Sequence, residues 1–263
     1  MRVRKMRERT NEKWMWLIPI VIAAILWEIL AIIIDDPSLL PRFSMIVVSF
    51  YELAVEGYLF LDISMSLYHF VIGLLAAFCV GVPLGIFMGW FKKIFVLLDP
   101  IVELIRPIPP LAWIPLTIAW IGLTHSAAGF IIFIGALFPI LVSTYTGIKD
   151  TPRVLIDTGK VLGCTTDLKL IRHIALPYSL PSIATGTRLG MGVGWMCVVA
   201  AEMFGVSQSG LGYRLFSEFH QWSQLDYVIA YMLLIGIIAL CLDRLFRYLV
   251  EDKLFKWKEG IVR

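Results

Sequence analysis

Charge is what this chain has least of. Charged residues make up 16% of its 263 positions against 59% hydrophobic ones, which excludes an ordinary soluble domain, where about a quarter of residues are charged. Cysteine is sparse and unpatterned. Cys79, Cys164, Cys197 and Cys241 show neither CxxC nor Cys/His spacing, so they read as free, packed thiols and not as zinc ligands or a disulfide frame. No GxxxxGK[ST] run occurs, and the glycine-rich GTRLGMGVG at 186–194 lacks the lysine and hydroxyl a phosphate-cradling loop needs. HExxH and GxSxG are also missing, and His69, His125, His173 and His220 are dispersed, which argues against an intramembrane hydrolase. The net charge of +3 is read here through its distribution along a membrane chain, not as a nucleic-acid footprint. No small-residue cleavage site follows the basic start MRVRKMRER, so the first apolar segment reads as a retained anchor.

Apolar runs are abundant. Six of them approach the roughly 20 residues needed to cross about 30 Å of hydrocarbon, near 14–34, 66–90, 108–122, 127–147, 183–205 and 227–249. The composition therefore predicts an all-α integral membrane protein with about six transmembrane helices. Residues 1–13 read as a basic cytoplasmic segment, 14–249 as one transmembrane domain and 250–263 as a cytoplasmic tail. Orientation follows from Lys and Arg, which short cytoplasmic loops retain. With the N-terminus inside, all but Arg42, Arg188 and Arg214 of the 23 basic residues fall in the inner segments. Both termini and the polar stretch 150–181 are thus expected on the cytoplasmic side of a prokaryotic plasma (inner) membrane. The outer piece Phe43–Glu56 mixes apolar and polar residues in a way that suits a surface helix, either a plain connector or a contact for an external partner.

Within the spans three patterns stand out. Gly73, Ala77, Gly81, Gly85 and Gly89 recur every four residues and predict a smooth helix face for close packing, with Pro83 placed to kink it; Gly186, Gly190 and Gly194 form a similar ridge. Five prolines, Pro100, Pro107, Pro109, Pro110 and Pro115, cannot share one straight helix. Broken backbone at membrane depth survives only where protein or a cavity surrounds it, so this element is either a structural bend or part of a pathway. Glu28, Glu103, Glu202 and Asp243 lie in or near apolar runs, where a charge costs about 2.5–3.5 kcal/mol. Asp243 reads as a pair with the adjacent Arg244; Glu202 reads as a structural hydrogen-bond acceptor or as a gating group. Trp113, Met191, Trp195 and Glu202 are the candidates for a translocation pathway, with packing between helices the rival reading for each.

The stretch Asp150–Pro181 is the most informative. A helix is expected from Asp150 or Thr151 as cap, with Pro152 in its first turn, to about Gly163. A second is expected from Thr165 or Thr166, with Asp167 near its start, to Pro177. A mere connection needs about 2–8 residues, so this helix–turn–helix knob predicts a docking surface.

Here the residues resemble a family. Asp157-Thr158-Gly159, then Gly163 and Ile174-Ala175-Leu176-Pro177, are similar to the cytoplasmic EAA loop of binding-protein-dependent ABC importer permeases. The triplet stands where that family often has Glu-Ala-Ala, and Gly163 to Pro177 is one residue longer than its usual spacing. SLYHFVIGLLAA, LDPIVELIRPIPPLAWIPL and GTRLGMGVGWMCVVAAEMF narrow the resemblance to the nitrate/sulfonate/taurine/bicarbonate branch, over roughly residues 38–250. His69 stands where relatives commonly carry arginine, so no role of that arginine is carried over. The resemblance implies a type I ABC importer permease that pairs with a second copy of itself. It further implies two ATP-binding subunits on the coupling loops (Asp157, Thr158, Gly159, Gly163, Ile174, Leu176, Pro177) and an extracytoplasmic solute-binding protein. ATP and Mg would sit on the partner ATPase, with no cofactor, metal or nucleic acid bound by this chain. The implied cargo is a small oxyanion or sulfonate; relatives also carry heterocyclic vitamin precursors. An ion-coupled secondary carrier is the alternative from another class, although the acids lie mostly towards the span ends and no convincing internal repeat is present.

Overall fold

The computed structural model of the chain describes residues 17–207, 209–222 and 224–254; the basic segment 1–13 and the tail beyond 254 lie outside them. The described residues form helices and no strand. In order these are α1 (Leu17–Ile34), α2 (Phe43–Val55), α3 (Tyr58–Trp90), α4 (Lys92–Ile105), a 3₁₀ turn at Pro110–Trp113, α5 (Ile114–Ile121), α6 (His125–Lys149) and α7 (Arg153–Val161). Next come α8 (Asp167–Met203), α9 (Leu211–Trp222) and α10 (Leu225–Phe246), whose last turns widen into a π-helical run at Arg247–Leu254. Four of these, α3, α6, α8 and α10, are long and apolar enough to cross a membrane. The first and third expected spans correspond to shorter apolar helices, Ile18–Ile34 and Pro110–Ile121.

In the third span, near 108–122, the backbone is broken, in line with the reading that five prolines cannot share one straight helix. Proline removes a backbone donor and clashes one turn back, so it is tolerated chiefly in first turns. Pro110 opens the 3₁₀ turn and Pro115 sits in the first turn of α5, while α4 is a separate helix carrying Pro100 internally. The apolar piece Pro110–Ile121 therefore spans only about 20 Å.

The fifth span carries a correction. A separate knob helix ending at Pro177 is not formed. Residues 167–203 make one helix of 37 residues that runs through Pro177 and Pro181. A π-helical segment at Ile171–Ala175 allows this, with the Leu176 N–H reaching back five residues to the Ile171 carbonyl. A π turn holds one residue more than an α turn, and this one lies between Gly163 and Pro177.

The chain groups into two compact units, one of the described residues up to Phe60 with Leu215–Leu234, the other of Leu61–Arg214 with the described residues from Ile235. In the first, α1 and the start of α2 are tied by Trp27, whose indole donates to the Pro41 carbonyl at 3.0 Å. Glu28 accepts from the hydroxyl and amide of Ser44 at 3.0 and 3.2 Å, a carboxylate at a helix N-terminus.

The larger unit is built on α6, which is met on two sides by the small-residue faces of α3 and α8. Along α3, a Cβ on Gly73 would lie 2.5 Å from Ile132 Cβ, one on Gly85 2.6 Å from Thr144 Cβ and one on Gly89 2.7 Å from Ile148 Cβ. The pairs advance together, so α3 and α6 run parallel at a separation only glycine permits. The ridge of α8 meets α6 in the opposite sense, Gly186 against Ser143, Gly190 against Ala136 and Ile140, Gly194 against Ile132. Ala77, Ala136 and Ile140 are fully buried between them.

Candidate functional site

Three places in the larger unit carry the candidate residues. The knob is the first. Pro152, not Asp150 or Thr151, occupies the N-cap position of α7, and Asp150 closes α6. At the other end the Gly163 N–H donates to the Lys160 carbonyl (3.1 Å) and the Cys164 N–H to the Gly159 carbonyl (2.9 Å), a Schellman motif. Gly163 has φ +95°, a left-handed conformation that costs other residues about 1–2 kcal/mol. Thr166 caps α8, its hydroxyl accepting from the Lys169 N–H at 3.4 Å with Asp167 in the first turn. The knob closes on itself where Gly159 of α7 is buried beneath Ile174.

The coupling candidates thus divide. Gly159, Gly163 and the half-buried Ile174 and Leu176 shape the knob. Asp157, Thr158 and Pro177 are exposed on it. Asp157 pairs with Lys160 at 3.3 Å in an exposed i,i+3 contact worth little, and the Thr158 hydroxyl donates back to the Val154 carbonyl. Sequence reasoning missed the apolar residues that surround them: Val154, Val161, Leu162 and Leu168 are 74–87% exposed. Their signal was visible as large aliphatics in an otherwise polar loop.

The second place is a cavity of about 230 Å³ beside α8, lined among others by Met191, Trp195, Phe70, Arg188 and Asp243. Trp195 is 5% exposed, its indole donates to the Ile235 carbonyl at 3.2 Å, and it meets Phe70 edge-on at 5.5 Å. Arg188 donates to both oxygens of Asp243, Nε at 2.6 Å and Nη2 at 2.8 Å. This two-pronged contact corrects the expected pairing of Asp243 with Arg244. Of the pathway candidates, Met191 and Trp195 are brought together; Trp113 does not line this cavity. It sits half-buried in the Pro110–Trp113 turn with its indole N–H buried and without a hydrogen-bond partner.

Glu202, at the C-terminal end of α8, anchors the third place. It is fully buried and accepts from the Ser66 hydroxyl (2.8 Å) and the Gly212 N–H (2.9 Å), with His69 Nδ1 at 2.9 Å from its other oxygen. His69 Nε2 lies 2.8 Å from His125 Nδ1. Asp62, also fully buried, accepts from the Gly210 N–H at 3.0 Å and from Arg214 Nε at 3.3 Å, and the Leu211 N–H donates to Ser66. The two buried acids thus hold the start of α9 to α3. Asp62, Ser66 and His69 share one face of α3 by their four- and three-residue spacing, a pattern legible in the sequence but not used. Glu103 is exposed on α4.

With the fold and these contacts in view, residues 81–253 match the family described as the binding-protein-dependent transport system inner membrane component. The chain belongs to that family. An ABC transporter permease protein of Methanocaldococcus jannaschii is 45% identical over 242 residues, 90% of each chain. The aliphatic sulfonates transport permease protein SsuC of Bacillus subtilis is 34% identical, covering 98% of this chain and 93% of its own. The taurine transport system permease protein TauC of Escherichia coli is 31% identical, covering 90% and 86%. Among solved structures, an inward-facing MetNI methionine ABC transporter aligns with a TM-score of 0.62 at 18% identity, over 73% of this chain and 94% of that one, which supports the type I importer permease fold. The chain is a transport subunit of an inner-membrane importer, in the nitrate/sulfonate/taurine branch, and not an enzyme.

Proposed function

We propose that this chain forms the membrane pathway of an ATP-driven importer for a small oxyanion or sulfonate. It works as a pair with a second copy, with two ATP-binding subunits on the cytoplasmic side and an extracytoplasmic solute-binding protein delivering the cargo. The knob Asp150–Pro181 faces the cytoplasm, as do both termini, on the argument of the basic residues. The observation that carries the reading is the knob itself: a self-locked helical turn fixed by Gly159, Gly163 and Ile174, with Val154, Val161, Leu162 and Leu168 exposed around Asp157 and Thr158. So much exposed aliphatic surface outside the membrane spans fits an interface. ATP-driven closure of the partner subunits would push on it, and α8 would carry the displacement into the bundle. ATP and Mg bind to those partners.

The substrate class rests on relatives named for aliphatic sulfonates, taurine and nitrate, all small solutes that carry an anionic group with three oxygens. The test is uptake into proteoliposomes holding this chain, its ATPase and its binding protein, supplied with labelled taurine, an alkanesulfonate or nitrate. ATP-dependent accumulation of one of them is expected. Accumulation driven by an ion gradient without the ATPase would overturn the reading.

A further inference from the structure

The Glu202 cluster has a feature that its fastening role does not use: it is wired to an open cavity. His125 is exposed and, with Met65, Leu123, Thr124, Ser207 and Ser209, lines a cavity of about 520 Å³. From there the contacts run inward without a gap, His125 Nδ1 to His69 Nε2 at 2.8 Å and His69 Nδ1 to Glu202 at 2.9 Å. The rings of His69 and His125 stack at 5.1 Å between centroids, and Tyr68 packs beside both. His69 is 1% exposed and Glu202 fully buried, so His125 offers the proton route from cavity to carboxylate.

The proton count is what makes the chain functional. Glu202 already accepts from a hydroxyl and an amide, so an ionised carboxylate takes its third bond from His69 Nδ1–H. His69 Nε2 is then an acceptor, satisfied by His125 Nδ1–H. That leaves His125 Nε2 as a bare acceptor. A proton arriving there makes His125 cationic; passing its Nδ1 proton along the 2.8 Å contact makes His69 cationic instead. No side chain has to move. Among the described residues, Glu202 of α8 is the charged group in contact with the pair, and Asp62 of α3 with Arg214 of α9 adds an ion pair to the same cluster; the neutral Tyr68 lies beside the histidines. With both acids ionised, these sum to one negative charge, which one proton on the histidine pair cancels.

We propose that His125, His69 and Glu202 form a proton-binding site loaded from the cavity, and that its occupancy sets how firmly Gly210–Gly212 is fastened to α3 and α8. Loading turns the His69–Glu202 contact from a neutral donor on an ionised carboxylate into an ion pair with both partners charged, which strengthens it, and removes the cluster's net charge. Unloading loosens the same fastening. The site responds to proton supply in the cavity and acts whatever solute the chain carries. A metal at this place is not favoured, because the two imidazole nitrogens engage one another and the described residues hold no cluster of three ligands.

The test uses the full-length chain labelled with ¹⁵N-histidine in lipid nanodiscs, with ring-nitrogen spectra recorded between about pH 5 and 8. His173 and His220 are assigned through His173→Gln and His220→Gln. His69 and His125 are expected to shift together in one shared step. A His69 that keeps a single neutral tautomer while His125 titrates would overturn the proposal. As a second readout, amide exchange at Gly210–Gly212, corrected for its intrinsic pH dependence, is expected to slow several-fold from the upper to the lower end of that range. His69→Arg, which is always charged, should be slow throughout, and His69→Gln, which cannot be charged, fast throughout. The same pH response in either variant as in the wild type would equally refute it. Should a variant not fold, the wild-type spectra still decide.

Discussion

Ile174 places its Cδ1 in the space that a side chain on Gly159 would need. That contact joins α7 to the first turns of α8 and sets the knob's shape. Replacing Gly159 by alanine drives a methyl into Ile174 Cδ1, the far end of a side chain that can turn away, so the crowding costs about 1 kcal/mol, the low end for overpacking. In reconstituted transporter, Gly159→Ala is expected to hydrolyse ATP with a reduced yield of imported solute. Adding Ile174→Val, which removes Cδ1, should restore much of it. An unchanged ratio of uptake to hydrolysis in the single variant would remove the contact from the coupling argument.

Gly163 poses a different demand, since a Cβ there meets nothing within 4 Å and the constraint is its φ of +95°. Gly163→Val should cost about 1–2 kcal/mol and weaken coupling, while Gly163→Asn, a residue that tolerates this conformation, should be milder. Comparing the thermal midpoints of the two variants checks the order. Equal losses would point to contact and not to backbone conformation. Asp157→Lys, on the exposed face of the same helix, should leave stability nearly unchanged and lower uptake alone.

Along α3 the expected effect is steric. Gly85→Val must displace Thr144 and the Leu141 carbonyl, which would stand 2.6 and 2.7 Å from the new Cβ, and should lower the melting temperature in detergent by the equivalent of about 1–3 kcal/mol. Gly192→Ala on α8 meets nothing within 4 Å and serves as the control. A drop of the same size in both would argue against the close approach of α3 and α6.

The Arg188–Asp243 pair can be probed by exchange. Arg188→Gln or Asp243→Asn leaves one charge facing the cavity without its main partner, a loss of about 1–3 kcal/mol. The swapped pair Arg188→Asp with Asp243→Arg is expected to recover part of it. Stability of the purified chain measures this; no recovery in the swap would assign the single-variant losses to other neighbours of the two residues.

Much of this was legible in the sequence, and the exceptions have physical causes. The four-residue glycine spacing predicted that α3 packs closely on a neighbour, without saying that the neighbour is α6, and the Pro110–Pro115 region predicted a broken segment. Thr166 capped its helix as read. Pro177 misled because a proline normally stops a helix; the π turn before it supplies the room that an α-helix lacks. Asp243 misled because neighbours in sequence are about 100° apart on a helix and do not face each other, so Arg244 points elsewhere while Arg188, fifty-five positions away, comes alongside. The Glu202 cluster joins residues from α3, α6, α8 and α9, and no local pattern announces contacts of that range.

The continuity of α8 has a mechanical meaning. At about 1.5 Å per residue its 37 residues form a strut of about 55 Å, longer than the hydrocarbon layer is thick. The knob and Glu202 stand at its two ends. A tilt imposed at one end would reach the other as the stroke of a lever, with the π turn and Pro181 as places where the arm can flex.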